Sequence, residues 1–355
     1  MHRRKFLELA GGSAAGVLVA AGGAAPAAAA PGRRPFAVVA ADGSGDFATV
    51  QAAVDAVPAG NTERLTIAIR PGTYLGQVIV SSTKPFITLL GTGRNPEHVV
   101  VADNRANGTP KPDGSGTWGT SGSASVTVDG AGFTARNLTF ANTFDEVANP
   151  DLSGKQAVAI LTRADKLEFE RVRFIGNQDT LYVNSSAAGV IARAYFRDCY
   201  VEGDVDFIFG RGTGVFDRCR IHSLNRNTTP AGYVTAPSTD IANPHGLLFN
   251  RCTLSSDAPA GSVFLGRPWH PSNDPNAIGQ TIIRESWLGE HIGATPWSNF
   301  GTWPWQDARF GEFHNRGPGA LVTADRPQLT DEQAATATVA DFLRGTDNWR
   351  PESCR

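Results

Sequence analysis

Six times between residues 135 and 288 the chain repeats one spacing: an apolar or small residue, a second residue three positions on, and an apolar one two beyond that. The members are Ala135/Leu138/Phe140, Phe169/Val172/Phe174, Phe196/Cys199/Val201, Phe216/Cys219/Ile221, Phe249/Cys252/Leu254 and Ile283/Ser286/Leu288. From 135 to 169, 196, 216, 249 and 283 the steps are 34, 27, 20, 33 and 34 residues. A helical repeat would carry a 3.6-residue period inside each unit; these units carry alternation and glycine turns. Unequal steps on a constant spacing describe a regular strand framework with loops of different length, and the long loops are where a groove is built. The pattern predicts an all-β fold, a right-handed parallel β-helix with each repeat as one coil. The 39 glycines, 22 prolines and 19 phenylalanines suit many short strands and turns.

Two consecutive coils align residue by residue from Phe169 to Tyr182 and from Phe196 to Phe209, offset by 27 (169 to 196, 179 to 206), so Asp179 and Asp206 hold the same place. Neighbouring coils lie about 4.7–4.9 Å apart, and stacked like charges repel. A purely structural solenoid gains nothing from that repulsion, whereas an acid and a nucleophile need two carboxyl groups whose pKa values are driven apart. The alternative is a pair of turn aspartates bonding backbone amides. Gln178 precedes Asp179, and Gln156 stands before another apolar strand. Uncharged amides beside two carboxylates can hold an oxyanion; either glutamine alone could equally be a polar ladder residue. In Leu265-Gly-Arg267-Pro-Trp269 the arginine can keep one carboxylate ionised and the tryptophan can stack on a sugar ring. A surface arginine with a packed tryptophan is the plainer possibility.

The rest of the chain narrows the class. Arg3-Arg4-Lys5 followed by an Ala/Gly/Val-rich stretch predicts a twin-arginine export signal over residues 1–30, removed near Ala25-Pro26-Ala27. A linker is expected over 31–45, and a single catalytic domain over 46–355, with a short capping helix from Asp46 to Val57 and a tail helix from Thr330 to Gly345. The net charge of −2, with no basic run beyond the signal, recommends neither nucleic acid nor a membrane surface. Seven scattered histidines without a His-x-x-x-His or Cys-x-x-Cys pair leave zinc without a ligand set, and Asp204-Val-Asp206 as a calcium pair lacks further clustered acids. No Gly-x-Ser-x-Gly elbow is present. Cys199, Cys219 and Cys252 fall in one column, within the usual disulfide Cα range of about 4.4–6.8 Å. The 20-residue step favours a Cys199–Cys219 disulfide, with Cys252 buried and free.

Five ordered stretches now carry a resemblance: Gln156-Ala-Val-Ala, Gly176-Asn-Gln-Asp-Thr-Leu-Tyr182, Asp206-Phe-Ile-Phe-Gly210, Tyr233-Val-Thr-Ala-Pro237 and Leu265-Gly-Arg-Pro-Trp269. The chain resembles the pectin methylesterases, esterases built on a right-handed parallel β-helix. Weaker similarity runs over nearly the whole mature chain. The resemblance implies Asp206 as nucleophile, Asp179 as proton donor and later base, Gln156 and Gln178 as the oxyanion site, and Arg267 holding Asp206 ionised. It also implies Trp269, Tyr182, Phe209, Thr120 and Arg226 along a sugar groove, no cofactor or metal, methyl-esterified homogalacturonan (pectin) as partner, and a secreted monomer. One departure is that Gly72-Thr-Tyr74-Leu-Gly76 has glycine where the family usually has glutamate. A pectin-degrading glycosidase on the same fold and a non-catalytic glycan-binding solenoid are the alternatives.

Overall fold

The computed structural model describes residues 34–354, so the expected export signal lies outside the described residues. Within them each full coil gives one strand to each of three sheets. Sheet I has ten strands, from Ala37–Val39 to Arg309–Phe313; sheet II has eight, from Gly72–Leu75 to Trp287–Leu288; sheet III has seven, from Val78–Val80 to Val263–Gly266. Neighbouring strands run parallel in all three. The architecture is the parallel β-helix that the repeat predicts, in the right-handed sense that parallel crossovers take.

The register follows the repeat. Phe169 pairs with Ala135 on one side and Phe196 on the other, and the column continues through Phe216, Phe249 and Ile283. Phe174 pairs with Phe140 and Val201 in the same way. These rings point into the core and are almost fully buried. They stack at centroid separations of 4.8 Å (Phe169–Phe196), 4.6 Å (Phe196–Phe216) and 4.7 Å (Phe216–Phe249), which is the strand spacing itself. From Asn137 onward one left-handed residue turns the chain out of sheet I in each coil: Asn137, Arg171, Asp198, Arg218, Arg251, Glu285 and His314 have φ of 49–56°. The turns from Asn137 to Glu285 keep their backbone in the ladder, as Arg171 N–H donates to Arg197 O (3.1 Å) and Arg218 N–H to Asn250 O (2.9 Å).

The ends refine the sequence expectations. The core begins earlier than residue 46, because Ala37–Val39, assigned above to a linker, is the first strand of sheet I and pairs with Leu65–Ile69. Asp46 is held by that strand, accepting from Val38 N (2.8 Å), so helix α1 starts later, at Val50–Ala56, capped by the Thr49 hydroxyl. Its Val50, Ala53 and Val54 close the open end of the core. A one-turn helix α2 (Gly119–Gly122) lies in a long loop between sheets II and III. The tail helix is two helices, α3 (Asp331–Ala335), with the expected Thr330/Gln333 capping box, and α4 (Val339–Arg344). Thr338 caps α4 by accepting from Asp341 N, which restarts the helix after a break. Phe342 and Leu343 of α4 pack on the outer face of sheet I against Tyr195, Val215 and Leu248. Residues 310–313 belong to the last strand of sheet I, Arg309–Phe313.

The disulfide expectation is corrected. Cys199, Cys219 and Cys252 are buried free thiols, and the Cys199–Cys219 bond is not formed. Each thiol donates instead to a carbonyl of the preceding coil: Phe169 O (3.4 Å), Phe196 O (3.3 Å) and Phe216 O (3.3 Å). The physical reason is direction. Residues in register on parallel coils have nearly parallel Cα–Cβ bonds, so their Cβ atoms stay about 4.8 Å apart, outside the roughly 3.5–4.5 Å of a disulfide.

Candidate active site

The site forms where sheet II turns into sheet III and along the outer face of sheet III. Leu181–Val183 pairs with Val205–Gly210 through Leu181/Ile208 and Tyr182/Phe209, which preserves the 27-residue offset at Asp179 and Asp206. Both aspartates adopt left-handed backbone, φ 68° and 51°, a conformation costly for a non-glycine residue and typical of functional sites. At Asp206 the cause is local. Pairing of its strand with Gly232–Pro237 slips between Val205 and Ile208, a bulge that re-aims the side chain. Each aspartate is only 7% exposed.

The two carboxyls differ in their partners. Arg267 follows strand Val263–Gly266, with its N–H donating to Thr235 O (3.0 Å). Its Nε and Nη2 donate to Asp206 Oδ1 (2.8 Å) and Oδ2 (2.7 Å), a bidentate pair. The guanidinium is sandwiched between the rings of Tyr233 (3.8 Å to centroid) and Phe300 (4.6 Å), which fixes its plane. The Asp179 backbone N–H donates to Val205 O (3.1 Å), but among the described residues its carboxyl has no hydrogen-bond or ion-pair partner, so the alternative of two aspartates capping backbone amides fails. Burial, and then the Asp206 charge, push the Asp179 carboxyl well above the usual carboxylate range, with Asp204 adding to the effect. Burial also raises Asp206, but the Arg267 guanidinium opposes it.

The amides arrive from neighbouring coils. Gln178 is adjacent to Asp179 in the chain, and Ala157 N–H donates to its backbone carbonyl (3.1 Å), which ties the Gln156 segment beside it. Asn107 Nδ2 donates to Gln156 Oε1 (3.0 Å), leaving the Gln156 N–H groups available as donors. Asn107 also accepts at its carbonyl from Gly119 N (3.0 Å), so it links the Gln156 segment to α2, which carries half-buried Thr120. Tyr182 and Phe209 stack at 4.1 Å on the outer face of sheet III, and Trp269 meets them edge-on at 6.1 and 5.6 Å. This three-ring wall unites three of the predicted groove residues.

Arg226 is placed differently from a free groove residue. Its Nη1 donates to Asp204 Oδ1 (3.2 Å) and its Nη2 to Glu146 Oε2 (3.1 Å). It bridges the loop bearing Glu146 to the coil that carries Asp206, and burial pushes the Asp204 carboxyl up to about 6. Asp204 is therefore an ion-pair partner of an arginine, while among the described residues no cluster suited to a metal is found. Sequence reasoning gave no role to Asn107, Tyr233, Phe300 or Glu146. Tyr233 opens one of the five motifs and could have been found there; the others come from loops whose positions no local pattern encodes.

A sequence model of the pectinesterase family matches residues 36–346. The chain belongs to the pectinesterase family. It is a carboxylic ester hydrolase of that family, and the similarity spans most of its length. A pectinesterase of Ralstonia solanacearum is 38% identical over 316 residues, 79% of either chain. The pectin methylesterase PemA from Erwinia chrysanthemi superposes with a TM-score of 0.80 at 35% identity, covering 90% of this chain and 99% of that one. A pectin methylesterase solved in complex with a hexasaccharide gives a TM-score of 0.80 at 34% identity, covering 90% of this chain and 100% of its own.

Proposed function

We propose that this pectinesterase hydrolyses methyl esters of galacturonate units in pectin through an acyl-enzyme on Asp206, releasing methanol. The observation that carries the proposal is the inequality of the two buried aspartates: Asp206 held by a bidentate arginine, Asp179 without a partner and raised. Asp206 thereby loses its proton at lower pH than Asp179, so that an ionised nucleophile and a protonated acid coexist.

An Asp206 carboxylate oxygen attacks the ester carbonyl carbon, and the carbonyl π electrons move to oxygen. Amide N–H groups of Gln156 and Gln178 receive that oxyanion. Its collapse breaks the bond to the methoxy oxygen, which takes the proton of Asp179 and leaves as methanol. Asp179, now a carboxylate, removes a proton from water as the water oxygen adds to the acyl carbon. Collapse of this second intermediate frees the galacturonic acid unit, whose carboxyl loses its proton to solvent, and returns Asp206 ionised and Asp179 protonated. The Tyr182/Phe209/Trp269 wall supplies apolar faces for the sugar rings. The Arg3-Arg4 signal supports action outside the cell: the culture medium should hold protein whose N-terminal sequence lacks Arg3-Arg4, and protein found only inside the cell would refute it.

Acid-quench mass spectrometry of a single turnover tests the covalent step. The expected adduct is a galacturonyl group on the peptide carrying Asp206; an adduct on Asp179, or none at any quench time, opposes the proposal. Gln178→Ala should lower the turnover rate by about 10²- to 10³-fold.

A further inference from the structure

The arginines show no run in the sequence, yet coil stacking gathers four of them at a corner remote from the site in each coil's path. An open groove of about 540 Å³ lies at the turn between sheets I and II, lined by Arg171, Arg173, Arg218 and Arg220. Arg173, Tyr200 and Arg220 are register neighbours on three successive strands of sheet II. The two arginines lie over the Tyr200 ring at 5.2 and 5.9 Å. Arg171 and Arg218 repeat this spacing in the adjoining turn column, so each pair is two coils apart, about 9–10 Å along the helix axis.

The counter-charge is incomplete. Glu97 approaches Arg173 only to 3.7 Å, while Arg218 pairs with Asp198 at 3.1 Å and Asp217 at 3.5 Å, and Asp198 is shared with Arg197 at 3.3 Å. Arg171 bonds an amide oxygen, Asn137 Oδ1 (3.3 Å), and among the described residues neither Arg171 nor Arg220 has a carboxylate partner. Both are exposed. Four guanidinium groups against three carboxylates, one of them shared with Arg197, stand in two parallel rows and leave a positive groove on a chain whose overall charge is −2.

We propose that this corner groove is a second, non-catalytic binding site for de-esterified stretches of polyuronate. It rests on the function proposed above, which makes such anionic stretches from a near-neutral polymer. Planar guanidinium groups suit carboxylates, and two rows at a fixed repeat engage successive charges of one chain, so weak contacts add through effective concentration. Being exposed, the contacts weaken above physiological ionic strength. Such a site holds the enzyme on polymer it has already processed, while the catalytic groove engages esterified units.

The experiment measures retention of unesterified polygalacturonate at low ionic strength by affinity electrophoresis. It compares the wild-type mature protein, Arg171→Gln/Arg220→Gln, the single variant Arg220→Glu, and Trp269→Ala. Methanol release from short esterified oligogalacturonides reports folding and should be unchanged in the arginine variants. Affinity for polygalacturonate should fall about 3- to 30-fold in those variants and persist in Trp269→Ala. Unchanged affinity in both arginine variants would overturn the proposal, as would equal, arginine-dependent retention of a single-stranded polynucleotide. Loss of retention in the arginine variants of a protein that releases no methanol would leave this site standing and refute the esterase function instead.

Discussion

Asp206 lies under two opposing influences, burial that raises its carboxyl and a bidentate guanidinium that lowers it, and its role depends on the second. Replacing Arg267 with lysine keeps a charge but loses the planar fork and the fit between Tyr233 and Phe300. Arg267→Lys should therefore shift the acidic limb of the pH–rate profile to higher pH and lower the maximum; an unmoved acidic limb would mean that Arg267 does not set the charge of Asp206. Asp179 carries the opposite signature. Its folded-state pKa lies well above the value of about 3.9 expected for the unfolded chain. Its stabilising contribution is thus complete below pH 3.9 and is lost as pH rises toward and through the folded value. Asp179→Asn removes that penalty, so the variant should lose turnover yet melt above wild type at pH 7, with the gap closing toward pH 4. A variant less stable than wild type at pH 7 would contradict this.

At the scale of elements, the phenylalanine column makes the coils interdependent. Phe196 stacks on Phe169 and Phe216 and is fully buried, so Phe196→Ala should cost about 3–5 kcal/mol in denaturant unfolding. A loss below 1 kcal/mol would show that the column does not bear on stability. Gly210 lies where two backbones of sheet III leave no room for a side chain. It has φ 116°, and a Cβ there would meet the Val183 carbonyl, so Gly210→Ala should destabilise both strands that carry the site. What was legible in the sequence follows from these elements. Inward positions on adjacent coils must match in size, so the Phe, Val/Cys and Phe/Val spacing revealed register, and register placed Asp179 beside Asp206. Arg226 with Glu146, Phe300 on Arg267, and Asn107 on Gln156 were not legible, because each joins loops whose course is fixed by tertiary packing. The restart at Thr338 and the early strand at Ala37 were missed for a related reason: caps and edge strands occupy few residues and carry little periodicity.

For the whole molecule, the fold is held by stacking and hydrogen bonding without a Cys199–Cys219 bond. Reductant should leave the melting temperature unchanged, and Cys199, Cys219 and Cys252 should react with an alkylating agent only after denaturation; a reductant-sensitive melting temperature would reinstate a crosslink. The same stacking that assembles the catalytic pair assembles the arginine groove, so one geometric rule, residues 20 to 34 apart becoming neighbours, yields both. The outcome for the polymer separates ester from glycosidic chemistry. Amide donors beside the nucleophile suit a tetrahedral oxyanion and offer little to the positive charge of an oxocarbenium-like transition state. The most direct measurement follows highly esterified pectin with methanol, reducing ends and chain length recorded together, for wild type and Asp206→Asn. Wild type should release methanol and acidify the solution at constant chain length, and Asp206→Asn should release none; new reducing ends with falling chain length and no methanol would contradict the account.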